Sequence, residues 1–176
     1  GSCYPKDIRA LIGMGGPLLE MPLLRAVDRV NERQKGVLVE KVKRHFGEDL
    51  TGLTFAVWGL SFKPRTDDMR DAPSIVVIEA LLKAGGRIEA YDPEAMEEAR
   101  KIFADRVRYH RRNYDALKGA DALLVVTEWN EFRRPNFQHM KALLKNPVIF
   151  DGRNIFDPAE LRRMGFTYYS IGRKDG

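Results

Sequence analysis

Residues 55–91 contain a strand–helix–strand unit. The unit opens with the apolar run Phe55-Ala56-Val57-Trp58-Gly59-Leu60 and continues through a helical segment at about Ser74–Ala84. After the turn Ala84-Gly85-Gly86 it closes with Ile88-Glu89-Ala90-Tyr91. Two strands joined by a helix of this length are parallel, and the crossover between them is right-handed. The unit therefore predicts an α/β sheet domain.

The same alternation continues along the rest of the chain. Apolar runs at Ala122–Thr127, Val148–Phe150 and Tyr168–Ile171 are separated by helical segments at about 93–103, 137–144 and 158–164. The run at 122–127 lacks polar alternation, which is typical of a central strand covered on both faces. The sequence therefore predicts a doubly wound, mostly parallel, Rossmann-like sheet domain over residues 49–176.

A long helix is predicted before this domain. Between Pro22 and Phe46, apolar residues recur at mostly helical spacing: Leu23, Leu24, Val27, Val30, Val37, Leu38 and Val42. Lys, Arg, Glu and Gln occupy the other face, and Gly47 is a plausible end of the helix. A helix of about six or seven turns is too long for a small sheet domain to bury alone. We therefore expect it to pack against another domain or a second subunit.

Composition limits the classes of protein that this chain can represent. With 176 residues, 44% hydrophobic and 31% charged, it is expected to be an ordered globular protein. No apolar run approaches the roughly 18 residues of a membrane span, so we expect no membrane partner. A single cysteine excludes an internal disulfide and fits a reducing compartment. In the absence of a leader-like segment, we expect a cytoplasmic location.

The positive charge of the chain does not by itself indicate a nucleic-acid partner. The formal net charge of +5 comes from 30 basic and 25 acidic residues. We find no zinc-finger spacing, aromatic RNA-binding signature or helix-turn-helix pattern, so no nucleic-acid partner is expected. The densest basic cluster, residues 106–112, is interpreted as a solvated turn beside a short strand.

Two cations follow predicted strands, at the sheet edge where ligands bind in this class of fold. Lys63 and Arg153 are suited to phosphate binding, although surface residues are an equal alternative at such positions. Gly59 stands alone where a dinucleotide site would have G-x-G-x-x-G. Asp92 occupies the position of a ribose-binding acid, but an Asp-Pro turn explains it better. We therefore predict a sheet like that of dinucleotide-binding domains, but one that no longer binds a dinucleotide.

Cys3 is a candidate nucleophile. If a helix begins near Pro5, the positive end of its dipole and the nearby Lys6 favour the thiolate over the thiol. Asp7 lies one helical turn from Cys3, where it can position a proton or a water molecule. The residues alone leave open the alternative of an inert, buried cysteine.

The segment Gly1-Ser2-Cys3-Tyr4-Pro5-Lys6-Asp7 resembles the active-site motif G-G-S-C-[FY]-P-K-D of the nucleotide-sugar 6-dehydrogenases, the UDP-glucose/GDP-mannose dehydrogenase family. Further blocks resemble the family in the same order, at residues 30–35, 59–74, 90–93, 127–132 and 151–158. The Thr-Glu-Trp-Asn-Glu-Phe and Asp-Gly-Arg-Asn blocks are more similar to UDP-glucose enzymes than to GDP-mannose enzymes. The resemblance covers nearly the whole chain, and it favours a reactive Cys3.

The resemblance implies oxidation of the sugar C6 alcohol to a carboxylate in two steps, each passing a hydride to NAD. Cys3 matches the nucleophile that captures the intermediate aldehyde as a thiohemiacetal, which is then oxidised to a thioester and hydrolysed. Asp7 matches the aspartate that assists water and proton transfer.

Other site residues are implied by the same matching of motifs. Lys6 and Arg70 match positions that contact NAD. Phe62, Lys63 and Arg153 match positions that line the UDP-sugar site.

The resemblance also divides the chain into three parts: a catalytic-cysteine loop at 1–17, a central dimerisation helix at 18–48, and the UDP-sugar-binding domain at 49–176. It implies a homodimer formed through the 22–46 helix. The family's N-terminal NAD-binding domain and upstream catalytic residues are absent from the sequence, so we expect a fragment that is inactive alone, with NAD bound mostly elsewhere. GDP-mannose or UDP-N-acetyl-sugar oxidation and a non-catalytic nucleotide-sugar-binding or dimerisation module remain alternatives.

Overall fold

The computed structural model describes residues 3–15 and 20–173. Its helices are α1 (Cys3–Met14), α2 (Pro22–Phe46), α3 (Pro73–Lys83), α4 (Met96–Phe103), α5 (Asn113–Leu117), α6 (Phe137–Leu143) and α7 (Pro158–Arg163). Its strands are β1 (Thr54–Trp58), β2 (Arg87–Tyr91), β3 (Arg108–Tyr109), β4 (Ala122–Val125), β5 (Val148–Asp151) and β6 (Thr167–Ser170). Two short 3-10 helices lie at Ala104–Arg106, after α4, and at Asn130–Phe132, after β4.

These strands form one parallel sheet in the order β3-β2-β1-β4-β5-β6. The chain moves outward from β1 to β3 and then crosses to β4, so the switch point lies between β1 and β4. Every residue of β1, β4 and β5 is buried. The predicted doubly wound sheet and the central position of β4 are both confirmed. Trp58 pairs with Tyr91 on one side and with Val125 on the other, which brings the residues after β1, β2 and β4 to one edge.

Helices cover both faces of the sheet. The apolar cluster on the face of α2, α3 and α4 includes Val42, Ile78 and Phe103. The cluster on the face of α5, α6 and α7 includes Leu117 and Leu161. A parallel sheet needs this double cover because its strands are apolar on both faces.

Helix α2 has the bounds that the periodicity predicted, but its apolar stripe divides into two parts. Leu38, Val39 and Val42 are buried against the sheet domain. Leu23 and Val30, nearer the start of the helix, are 74% and 56% exposed. The C-terminal half of α2 is therefore part of the sheet domain, whereas its N-terminal half presents apolar side chains to solvent in a single chain.

The structure corrects the sequence analysis in three places. The expected loop at 1–17 contains helix α1, which had no visible period because Pro5 and Ile8 are its only buried residues among those whose side chains are described. Strand β3 is the short strand expected beside the basic turn at 106–112, whereas helix α5 was not predicted, since five residues are too few to show periodicity. Helix α4 begins at Met96 and not at residue 93, because a turn precedes it.

Within residues 3–15 and 20–173, we find no helix whose length and hydropathy would let it cross a membrane. In the same part of the chain, no group of three or more His, Cys, Asp or Glu side chains is placed to hold a metal ion.

Candidate functional site

Asp92, at the end of β2, holds together the loops at the carboxyl edge of the sheet. It is fully buried. Its carboxylate accepts hydrogen bonds from four backbone N–H groups, a hydroxyl and an indole: Leu60 N (2.7 Å), Ser61 N (3.2 Å), Ser61 Oγ (3.3 Å), Glu94 N (2.9 Å), Ala95 N (2.8 Å) and Trp129 Nε1 (3.1 Å). The Asp-Pro turn interpretation is thus confirmed, and the carboxylate is engaged by the protein itself.

Gly59 is required by a close approach of two loops. It has φ +94°, and a Cβ at this position would lie 2.5 Å from both Cβ and N of Thr127. The Thr127 hydroxyl donates to the Ser61 carbonyl across the same gap, at 2.5 Å. The protein's own backbone therefore fills the switch point between β1 and β4. Together with the engaged Asp92, this arrangement does not fit a dinucleotide bound at β1 in the conventional way.

A cleft lies beside the switch point, over the carboxyl ends of β4 and β5. Its volume is about 290 Å³. It is lined from six parts of the chain, by Pro5, Asn31, Gln34, Lys35, Leu38, Asp71, Pro73, Val77, Val126, Gly152, Arg153 and Ile171. Helices α1, α2 and α3 form one wall and the strand ends form the other. The cleft is the place where the structure brings α1 together with a predicted substrate-binding residue, Arg153.

Arg153 is oriented by two acidic residues. The buried Asp151 accepts from the Arg153 backbone N–H at 2.9 Å, and it also accepts from the Tyr168 hydroxyl at 2.8 Å. The Arg153 guanidinium donates to Glu128 at 2.5 Å. Burial would raise the pKa of Glu128, but the hydrogen bond from Arg153 and its positive charge bring that pKa below its ordinary value. Glu128 is thus ionised at neutral pH, and its hydrogen bond fixes the Arg153 guanidinium at the cleft.

Phe62 and Lys63 lie on the loop after β1, but they do not line the 290 Å³ cleft. Phe62 is half-buried against the core, and its backbone N–H donates to the Asp68 carbonyl at 3.0 Å. Lys63 is exposed, with Nζ 5.1 Å from the centre of the Phe62 ring. The Ser61 hydroxyl shares its one proton between the Lys63 carbonyl, at 3.0 Å, and the Asp92 carboxylate, at 3.3 Å. The loop is ordered by these contacts, and the Lys63 amine lies over the Phe62 ring.

Arg70 lies in a different cleft, which is shared with the start of α3 and with α4. Its guanidinium donates to the Asp68 carboxylate at 2.7 Å. This hydrogen bond, with the one from the Arg70 backbone, lowers the pKa of Asp68. Arg70 and Arg153 thus line different clefts.

Helix α1 carries the remaining predicted site residues. Cys3 is its first residue, and the Cys3 side chain lies outside the described part of the structure, as do Gly1 and Ser2. Pro5 is in the first turn and is buried in the cleft wall. Lys6 and Asp7 follow it and are exposed. Helix α1 therefore begins beside the cleft, and the roles of Cys3, Lys6 and Asp7 stay predictions.

The sequence analysis assigned no role to several residues of this region. Asn31, Gln34 and Lys35 line the cleft from α2, and their i, i+3, i+4 spacing already placed them on one helix face. Arg9 on α1 binds acidic residues of two other segments, and no local pattern indicated that role. The cleft-lining face of α2 could therefore have been predicted from the sequence, whereas the contacts of Arg9 could not.

Comparison with known proteins identifies the family. Residues 56–158 match the UDP binding domain of the UDP-glucose/GDP-mannose dehydrogenase family. The match is more than half of the chain and includes the loops that carry Asp92, Lys63 and Arg153. This chain belongs to the UDP-glucose/GDP-mannose dehydrogenase family. The resemblance inferred from its motifs is confirmed.

Individual members of the family match the chain almost from end to end. It is 44% identical to a UDP-glucose 6-dehydrogenase of Pseudomonas aeruginosa over 98% of this chain. A UDP-glucose dehydrogenase structure from Pyrobaculum islandicum superposes with a TM-score of 0.81 at 34% identity, covering 96% of this chain and 37% of that one. A UDP-D-ManNAc dehydrogenase from Pyrococcus horikoshii gives 0.74 at 27% identity, covering 100% and 39%. The chain spans about 40% of the length of the curated relatives that it matches.

Proposed function

We propose that this chain supplies the UDP-sugar site and the nucleophile Cys3 of an NAD-dependent UDP-glucose 6-dehydrogenase, which converts UDP-glucose to UDP-glucuronate in the cytoplasm. The observation that carries the proposal is the 44% identity, over 98% of the chain, to a protein named UDP-glucose 6-dehydrogenase. As a 40% portion of such an enzyme, the chain on its own is expected to bind UDP weakly and to have no activity.

The cleft has the chemistry that a UDP-sugar requires. Arg153 and Lys35 give it two cations, and Lys35 is only 10% exposed in its side chain. Charge-assisted hydrogen bonds from such groups bind phosphate oxygens strongly, and an arginine adds a planar, two-pronged donor. Asn31 and Gln34 offer amide donors and acceptors to hydroxyl groups of a sugar. Phe62 and Lys63 lie on the loop after β1 and outside this cleft, and we propose that they add contacts to the bound UDP-sugar.

Cys3 makes oxidation beyond the aldehyde possible. Removal of a hydride and a proton from the C6 alcohol gives an aldehyde, and the Cys3 thiolate adds to its carbonyl carbon to form a thiohemiacetal. Loss of a second hydride leaves a thioester. Water then attacks the thioester carbon, the C–S bond breaks, and the carboxylate and the thiolate are released. Asp7, one turn along α1, assists the water and the proton transfers.

NAD, when bound, accepts the hydride in each oxidation. The residues around β1 do not fit a dinucleotide, because Asp92 and the Gly59–Thr127 contact occupy that position. We therefore propose that most of the NAD site is provided by residues outside this chain. Lys6 and Arg70, both exposed, contribute contacts at its border.

The exposed half of α2 is the proposed dimer surface. Leu23, Val27 and Val30 are exposed on one side of the helix, and Ala26, Asn31 and Gln34 lie beside the two valines. Contiguous exposed apolar side chains of this kind mark interaction sites. We propose that two copies of α2 pack together here, which leaves Leu38 and Val42 in the sheet domain.

Activity of the full-length gene product tests the proposal. With UDP-glucose, two NAD molecules should be reduced for each UDP-glucuronate formed. Cys3→Ser should abolish release of the acid, while Arg162→Gln, an exposed residue on α7, should leave the rate unchanged. Acid production at the normal rate by the Cys3→Ser enzyme would exclude the covalent mechanism.

A second candidate substrate is a UDP-N-acetyl sugar, because the Pyrococcus horikoshii structure, a UDP-D-ManNAc dehydrogenase, superposes over the whole chain. Rates with UDP-glucose, UDP-N-acetylmannosamine and GDP-mannose separate the possibilities. The proposal requires the highest kcat/KM with UDP-glucose. If the full-length protein binds UDP-sugars but reduces no NAD with any of them, this chain would instead be a binding or dimerisation module.

A further inference from the structure

Arg9 joins three segments of the chain through one guanidinium group. Its Nε donates to Asp28 at 3.2 Å, one terminal nitrogen donates to Glu32 at 2.5 Å, and the other lies 3.4 Å from Asp71. Asp28 and Glu32 are one turn apart on α2, while Asp71 belongs to the loop before α3. Arg9 itself is on α1, so a single side chain connects α1 to α2 and to the loop before α3, the other two parts of the same cleft wall.

Helix α1 has few other contacts that hold it in place. Among its residues with described side chains, Pro5 and Ile8 are buried. Tyr4 is 73% and Met14 83% exposed. Two small apolar contacts give little of the burial that normally stabilises a helix of this length. The ionic contacts of Arg9 are therefore a large share of what fixes α1 to the rest of the chain.

These contacts lie next to the cleft. Pro5 precedes Arg9 by one helical turn, which places the two side chains on the same face of α1. Pro5 and Asp71 both line the cleft. Asp71 has φ +55°, in the left-handed region that aspartate tolerates, at the turn that leads into α3. The guanidinium thus joins α1 to the turn before α3 at the cleft rim, near the end where α1 begins with Cys3.

Loss of Arg9 would remove its attractive contacts and would also leave repulsion among the acidic residues around it. Asp28, Glu32 and Asp71 all approach the same cation, and Lys35 is bonded only to Glu32 among them, at 2.9 Å. Without Arg9, three carboxylates would face one another with one remaining cation. Their repulsion would favour movement of α1 and of the 71–73 turn away from α2.

We propose that Arg9 is a positioning residue of the dehydrogenase: it touches neither substrate nor cofactor, and it holds α1, with Cys3 in its first turn, against the UDP-sugar cleft. This inference rests on the proposed function for its consequence in catalysis. The attachment of α1 by Arg9 is a property of this chain alone and is tested without any activity.

Amide hydrogen exchange on the 176-residue chain tests the attachment. Arg9→Gln should speed exchange of the α1 amides about tenfold relative to wild type, since several partly exposed ion pairs are lost together. Arg9→Lys, which keeps the charge but reaches fewer carboxylates, should give an intermediate rate. Arg33→Gln, an exposed arginine on α2, is the matched control and should leave α1 unchanged. Amides of β1 and β4 should be unaffected throughout.

Salt gives a second readout. Exchange in wild-type α1 should accelerate between about 0.01 M and about 1 M NaCl, where the Debye length falls from about 30 to about 3 Å, while Arg9→Gln should respond much less. An α1 that exchanges equally in wild type and Arg9→Gln, or that is unprotected in both, overturns the proposal.

Kinetics of the full-length enzyme test the positioning role. Arg9→Gln should lower kcat about tenfold or more with little change in KM for UDP-glucose, and Arg9→Lys should restore part of kcat, because the sugar is bound by other residues. If the wild-type enzyme oxidises no UDP-sugar, the proposed function fails while the exchange result still stands. If the wild type is active and Arg9→Gln has normal kcat, the positioning role is wrong and the function stands.

Discussion

Replacement of Asp92 should lower the stability of the sheet domain by an amount that the structure allows to be worked out. In Asp92→Asn, one carboxylate oxygen becomes an NH2 group that cannot accept from the N–H groups facing it. If that group takes the Oδ1 position, the N–H groups of Glu94 and Ala95 lose their acceptor. Each buried donor left unpaired costs about 1–3 kcal/mol. We therefore expect a loss of about 3 kcal/mol.

A graded series tests whether the loss of stability grows with the number of hydrogen bonds to Asp92 that are removed. Trp129→Phe removes one donor to Asp92, and Ser61→Ala removes the hydroxyl at 3.3 Å. Each should cost about 1 kcal/mol. For a chain of this size, about 3 kcal/mol lowers Tm by roughly 6–12 °C and about 1 kcal/mol by roughly 2–4 °C.

Circular dichroism measures the series without depending on the tryptophans. In thermal and urea unfolding, wild type should be the most stable, the two single-donor variants less stable, and Asp92→Asn the least stable. If Asp92→Asn does not fold, the two milder variants still test the network. An Asp92→Asn protein that keeps full stability but loses NAD affinity in the full-length enzyme would refute the reasoning, because Asp92 would then bind the ribose.

Three further changes have defined expected outcomes. Arg153→Ala should weaken UDP binding to this chain roughly tenfold to a hundredfold, because a charge-assisted hydrogen bond to the phosphate is lost. Calorimetry measures this change, and equal affinity in wild type and variant would place the UDP site elsewhere. Val27→Asp with Val30→Asp should convert dimers to monomers in sedimentation, and a wild-type chain that is monomeric at high micromolar concentration would count against the α2 interface. Ala104→Gly should stabilise the fold by about 1 kcal/mol, because Ala104 is exposed with φ +48° and ψ −130°, a conformation that glycine adopts readily; a lower melting temperature would contradict this.

Much of the candidate site was readable before the structure, because parallel sheets place function after the strands. Arg153 and the Asp-Pro turn at Asp92 were both identified from their positions after apolar runs. The cleft-lining face of α2 carried a helical signal at Asn31, Gln34 and Lys35 that was not used. The close approach of Thr127 that requires glycine at position 59 could not be predicted, since the two residues are 68 positions apart in the sequence.

Elements of the fold were predictable in proportion to their length and burial. The bounds of α2 follow from apolar residues at a helical period, and the existence of β1, β2, β4, β5 and β6 follows from short apolar runs bounded by turns. Strand β3 and helix α5 are too short for a period, and α1 buries too little to show one. Their conformations depend on neighbours that the local sequence does not reveal.

The sequence by itself determined the parallel α/β domain, the long helix before it and the family to which the chain belongs, because burial periods and motif order are local properties of the chain. Only the tertiary structure decided which groups meet. Arg9 and Asp71 are 62 residues apart, and Pro5 and Arg153 share a cleft from opposite ends of the chain. The contact between charged side chains depends on where chain crossovers bring them in space, and residue type and spacing along the sequence do not specify that position.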